Sequence, residues 1–124
     1  MALTTLGNKV TEFQGFETIP VSHGLVVEYL SDEITSLCPV TGQPDWYTVH
    51  VVCRCRDKGL ESKTLKLYLQ SFRNRGLFCE SLCETIHADI QGVLNPLSLS
   101  VALTQKSRGG IVLRVEKNTG EDDE

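Results

Sequence analysis

The chain predicts one α+β domain: an antiparallel sheet in strand, strand, helix, helix, strand, strand order, with both helices on one face. Three observations carry this. Residues 46 to 55 alternate, with Tyr47, Val49, Val51, Cys53 and Cys55 on one side and Trp46, Thr48, His50, Val52 and Arg54 on the other, the period of two that a strand imposes. From Ser62 onward the period changes to that of a helix, and two helical stretches follow in succession. After Leu97 the alternation returns. Strands grouped before and after a helical pair give hairpins rather than crossover units.

Residues 25 to 30 (LVVEYL) read as the first, short strand, and residues 46 to 55 as the second, after which RDKGL turns the chain. In the first helix, Ser62 to Asn74, Leu65, Tyr68, Leu69 and Phe72 fall at i, i+3, i+4 and i+7, a single helical face. Ser62 is the expected N-cap and Gly76 the expected stop. The second helix runs from Cys79 to Leu94, with Leu82, Ile86, Ile90, Val93 and Leu94 as its apolar stripe and Pro96 behind it. Leu97, Leu99, Val101 and Leu103 alternate with small and hydroxyl residues, KSRGG turns, and Ile111, Leu113 and Val115 close the sheet. The domain is expected to span residues 1 to 117. Residues 118 to 124, acidic and poor in apolar groups, read as a disordered tail.

Composition bounds the function. The chain has 124 residues, 40% hydrophobic and 23% charged, with a net charge of −4. That balance lacks the basic stripe of a nucleic-acid binder. No apolar run is long enough to span a membrane. The start, MALTTLGNKV, lacks the features of a signal peptide, so a cytoplasmic location is expected. The five cysteines, Cys38, Cys53, Cys55, Cys79 and Cys83, are odd in number and suit small buried hydrophobes better than a disulfide framework. Their CxC and CxxxC spacings are not those of zinc knuckles, and no metal is expected.

Three clusters carry possible chemistry. The segment SLCPVTGQPD holds Cys38 and Asp45 on a loop stiffened by Pro39 and Pro44. Cysteine is a strong nucleophile, and a carboxyl nearby can act as acid or base. The plainer reading, a turn with a buried cysteine and a solvated aspartate, is the better one on composition alone. The second cluster is Glu61, Ser62 and Lys63 at the first helix entrance, with Lys66 one turn on. These residues cap the helix and form a solvated face, or they meet phosphates. The third is Phe78, Cys79 and Glu80 at the second helix entrance. Glu80 suits the helix dipole there, and it also suits the paired N–H donors of a guanine-like edge. No P-loop, serine triad or dinucleotide fingerprint occurs.

Taken together, CPVTGQPD, ESKTLKLYLQSFRNRGLFCE and SRGGI, in this order, resemble the 7-cyano-7-deazaguanine reductases of queuosine biosynthesis over residues 35 to 115. The resemblance implies the tunnelling fold, shared with GTP cyclohydrolase I. It implies that Cys38 attacks the nitrile carbon to form a thioimide, that Asp45 protonates the nitrile nitrogen, and that two NADPH complete the reduction to the aminomethyl compound. It further implies that Glu80 reads the guanine-like edge and Phe78 lines the pocket. Leu60, Glu61 and Ser62 would touch substrate from a neighbouring subunit, and Lys63 and Lys66 would meet NADPH phosphates. Short members of the family form pentamers that stack into decamers, with sites at subunit interfaces.

Two positions depart from the family pattern. Cys79 stands where the family carries a histidine that binds substrate and handles protons. Thr64 replaces a serine or alanine. His87 lies about 12 Å further along the helix, too far to substitute for the missing imidazole. A related branch makes the amidine archaeosine on tRNA through the same thioimide, without NADPH, and is the nearest alternative. A deazaguanine binder without turnover is the other.

Overall fold

The computed structural model describes residues 12 to 120. Its elements are β1 (Thr18–Pro20), β2 (Val26–Leu37), β3 (Pro44–Arg54), β4 (Lys58–Leu60), α1 (Ser62–Gln70), α2 (Cys79–Leu94), β5 (Ser98–Arg108) and β6 (Ile111–Gly120). Four long strands form one antiparallel sheet in the order β2-β3-β5-β6, while β1 and β4 make a separate two-stranded ribbon. Both helices are in contact with the large sheet.

The alternation in β3 and β5 builds the core. Tyr47, Val49, Val51 and Cys53 of β3 and Leu99, Val101 and Leu103 of β5 are all buried. The α2 stripe meets them: Leu82, Ile86, Ile90 and Leu94 are fully buried. Each such side chain contributes about 1.5–3 kcal/mol relative to exposure. The bounds of α2 follow the sequence expectation, and Asn95 takes a left-handed conformation (φ 45°) as its C-cap before Pro96. No helix among the described residues is long and apolar enough to cross a membrane.

Several details differ from the sequence expectation. The β1–β4 ribbon was not expected, and β4 lies in the RDKGL segment read as a turn. Strand β2 continues to Leu37, because a bulge lets it pass the polar run Ser31–Glu33: Ser31 pairs with Val49 and Ile34 with Tyr47, one residue more on β2 than on β3. Asp45 belongs to β3, paired with Ser36, and only the segment up to Gln43 is loop. Proline is tolerated at the first residue of β3.

Helix α1 is capped by Glu61 rather than Ser62, since the Glu61 carboxylate accepts the Thr64 and Lys63 amide protons, each at 2.9 Å. The same helix stops at Gln70 instead of continuing to Asn74. Turn-type bonds then take over, and the chain is drawn onto the end of β2 by Leu37 N–H to Arg75 O (2.9 Å) and Leu77 N–H to Leu37 O (3.1 Å). Finally, β6 runs to Gly120, three residues past the expected domain end at 117. A Cβ on Gly120 would lie 2.4 Å from Ser98 Cα, so this close approach requires glycine. The rest of the expected tail, 121 to 124, lies outside the described residues.

Candidate active site

The loop between β2 and β3 is built around Cys38. The Cys38 amide donates to Gln43 O and the Gly42 amide to Cys38 O, both at 2.8 Å. This tight ring aims polar groups back at the thiol. The Thr41 hydroxyl, then the Thr41 and Val40 amides, and also Arg108, lower the half-buried Cys38 thiol from its ordinary 9.0 to about 7. A cysteine so tuned is about half thiolate at neutral pH.

Asp45, at the start of β3, is 5% exposed. Its carboxylate accepts from Arg108 Nη1. Beneath it, Ser36 and Tyr47 share a buried hydrogen bond of 2.9 Å, and Ser36 Oγ also reaches Leu77 O at 3.5 Å. These bonds tie the hairpin to the turn that precedes α2.

Cys38 and Asp45 open into one cavity of about 530 Å³ with Phe78, Cys79, Glu80, Gln105, Arg108, Gly109 and Leu113. Phe78 is exposed, and Glu80 stands in the first turn of α2. Cys79, by contrast, is 1% exposed. Its thiol points to Leu103 O at 3.9 Å, and burial pushes it up to about 12. It is a neutral wall group, with its weak donor directed at β5. His87 lies elsewhere, buried on α2 with Nε2 3.0 Å from Thr119 Oγ1.

The second cluster is not in this cavity. Leu60 and Glu61 are buried, and the Glu61 carboxylate is engaged in capping α1. Thr64 Oγ1 donates to Glu61 O at 2.8 Å and accepts the Glu17 amide at 3.2 Å, which anchors the segment ahead of β1. Ser62 and Lys66 border a separate cavity of about 420 Å³ beneath Tyr29, Asp32 and Glu33. Tyr29 OH receives the Leu60 amide at 3.0 Å and pairs with Val51, six residues and about 20 Å along β3 from Asp45. Within one chain the two clusters are therefore apart.

Arg108 is the site residue that sequence reasoning missed. Along β5, Leu99, Val101, Leu103 and Gln105 point inward, so strict alternation turns residue 108 outward. A second bulge reverses this. Gln105 pairs with Leu113 and Arg108 with Ile111, one extra residue on β5, and the extra residue flips the parity. The RGG motif marks only the turn: Gly109 and Gly110 both have positive φ (60° and 83°), as a two-residue hairpin loop requires, and it does not announce the bulge.

The family model described as "QueF-like protein" matches residues 44–124. An NADPH-dependent 7-cyano-7-deazaguanine reductase from Frankia casuarinae is 42% identical over 115 residues, 91% of this chain and 92% of the relative. The chain belongs to the QueF-like family. A reductase of the same name from Syntrophus aciditrophicus is 38% identical over 117 residues, covering 92% of the QueF-like chain and 84% of its own. Among solved structures, the apo archaeosine synthase QueF-Like superposes with a TM-score of 0.73 at 22% identity, over 77% of this chain and 94% of that one. That likeness concerns the fold, and the α+β tunnelling fold expected from the sequence is the fold of this QueF-like chain.

Proposed function

We propose that the chain is an NADPH-dependent reductase of the nitrile of 7-cyano-7-deazaguanine, acting in queuosine biosynthesis. The observation that carries this reading is the shared cavity: a thiol tuned to about 7, a carboxyl beside it, and Glu80 with Phe78 opposite. The names of the similar reductases support it.

Cys38 Sγ adds to the nitrile carbon. One S–C bond forms, one C–N π bond breaks, and the nitrogen takes a proton from Asp45. That proton is the one the Cys38 thiol has first given up to the Asp45 carboxylate, so the addition is neutral in protons and electrons. Glu80 accepts the two N–H donors of the guanine-like edge, and the exposed Phe78 packs on the ring.

Lys63 and Lys66 lie one turn apart on α1, and Lys66 is exposed at the rim of the 420 Å³ cavity with Ser62. Two ammonium groups and a hydroxyl are a donor set that fits phosphates, and they would hold that end of NADPH. When bound, NADPH supplies the hydrides that take the thioimide to the 7-aminomethyl product.

The separation of the two clusters within one chain supports assembly. Leu60, Glu61 and Ser62 of one copy would complete the Cys38 cavity of another, in pentameric rings stacked as a decamer. β2 and β6 are the two edges of the sheet, with unpaired backbone groups suited to joining copies. The free cysteines agree with a cytoplasmic enzyme.

Cys79 favours a second reading, since a buried neutral thiol cannot serve as the cationic donor that imidazole can. On that reading the chain forms the thioimide on tRNA and ammonia displaces the thiol. Absorbance at 340 nm with 7-cyano-7-deazaguanine and NADPH separates the two. Oxidation of two NADPH per nitrile supports the reductase. A Cys38 adduct without NADPH oxidation overturns it and favours the amidine synthase.

A further inference from the structure

We propose that Arg108 is a positioning residue that clamps Cys38 and Asp45 side by side before substrate arrives. The two residues it joins come from the β2–β3 hairpin, whereas Arg108 comes from β5, so the clamp ties the two halves of the sheet together at the site. Its Nη1 donates to Asp45 Oδ1, and its guanidinium shares the cavity with the Cys38 sulfur, where its charge helps to lower the thiol. A guanidinium has the planar spread of donors that two acceptors at once require, which a lysine lacks.

The fold goes to some length to bring Arg108 there. Without the bulge between Gln105 and Arg108 the side chain would face the other side of the sheet. The charged and titratable groups around the Cys38 sulfur are Asp45 and Tyr47 from β3, Cys79 and Glu80 from α2, and Arg108 from β5. Arg108 is the one cation among these, so both the thiolate and the Asp45 carboxylate depend on it as counter-ion. Asp45 in turn makes Arg108 hold its proton more tightly. The clamp orients the acid toward the nitrogen of a nitrile whose carbon meets Cys38, and misorientation of such a pair is costly in rate.

This inference rests on the nitrile reading for its consequence, but its first test does not need that reading. Iodoacetamide alkylation of Cys38, followed against pH by peptide mass in the full-length chain with C38A as background, should show a midpoint raised by about half a pH unit or more in R108Q. R108K, which keeps the charge but lacks the fork, should fall between the two. In single-turnover mixing with 7-cyano-7-deazaguanine and no NADPH, R108Q should form the adduct about tenfold slower or worse, with nitrile affinity within twofold of the parent chain. R108Q and R108K both report, so the loss of one variant to misfolding leaves the other. An alkylation profile superimposable on that of the parent chain overturns the clamp. So does an unchanged adduct rate combined with a raised KM for NADPH, which would make Arg108 a phosphate contact. Absence of any adduct in the parent chain would defeat the nitrile reading while leaving the alkylation test of Arg108 intact.

Discussion

Ser36 and Tyr47 lie diagonally across the β2–β3 hairpin, Ser36 opposite Asp45 and Tyr47 opposite Ile34, and share a buried hydrogen bond of 2.9 Å. Both side chains are fully enclosed, so neither has water as an alternative partner. Tyr47→Phe should therefore lower stability by about 1 kcal/mol, the net worth of one hydrogen bond, since Ser36 Oγ still reaches Leu77 O. The Cys38 loop should also loosen, visible as faster amide exchange at Cys38 and Gly42. Unchanged melting and exchange would show that the pair supports nothing.

Cys38 is held near 7 mainly by the Thr41 hydroxyl. The thiolate is the attacking form, so iodoacetamide alkylation of Cys38, which needs no acid, should rise about tenfold per pH unit below that value and level off above about 8. Thr41→Val should move the curve to higher pH. Cys38→Ala should abolish the adduct, and Asp45→Asn should slow it. Alkylation profiles from pH 5 to 9 check the first two statements, and stopped-flow adduct rates check the last two.

Cys79 occupies the family's histidine position, but its thiol is turned to Leu103 O and is 1% exposed. Cys79→Ala should leave KM for the nitrile within about twofold and cost about 1 kcal/mol of stability through the lost buried sulfur. A tenfold rise in KM would instead make the thiol a substrate contact.

Glu61 accepts two amide protons at the start of α1. Glu61→Ala should lower stability by about 1–2 kcal/mol, as loss of a cap does. Asp at this position should restore most of it. If melting is unchanged while turnover collapses, the carboxylate acts on substrate and not on the helix.

The helical part of the fold was legible because its signals are local. The α2 stripe of Leu82, Ile86, Ile90 and Leu94 points one way, and Pro96 closes the element. Strand alternation at Tyr47 to Cys53 was equally plain. Elements that depend on partners were not. Strands β1 and β4 are three residues each and exist only as each other's neighbour, so no periodicity announces them. The end of α1 at Gln70 is set by the bonds between Leu37 and the segment Arg75–Leu77, which no window around Gln70 contains. Gly120 reads as tail until Ser98 is seen against it.

The site divides in the same way. Cys38, Asp45, Phe78 and Glu80 were identified by their motifs, and they share one cavity. Arg108 was hidden by parity, since a bulge is invisible to strict alternation. Leu60, Glu61, Ser62, Lys63 and Lys66 were named with the others, yet none of them lines that cavity, and Ser62 and Lys66 border a different one. Neighbourhood in a motif does not fix neighbourhood within one chain.

The sheet order β2-β3-β5-β6 has a consequence for how the molecule is made. Each outer pair is a hairpin closed by a short loop, and hairpins of this kind form in microseconds. The seam between β3 and β5, with Tyr47 opposite Gln105, must wait until the whole helical segment has been looped out, and such distant pairings are the slow step of folding. Cys38 and Asp45 sit on one side of that seam and Arg108 on the other. A chain that has formed both hairpins but not the seam carries its nucleophile without its counter-ion. The return of Cys38 reactivity during refolding should therefore lag behind secondary structure and coincide with the joining of the two halves.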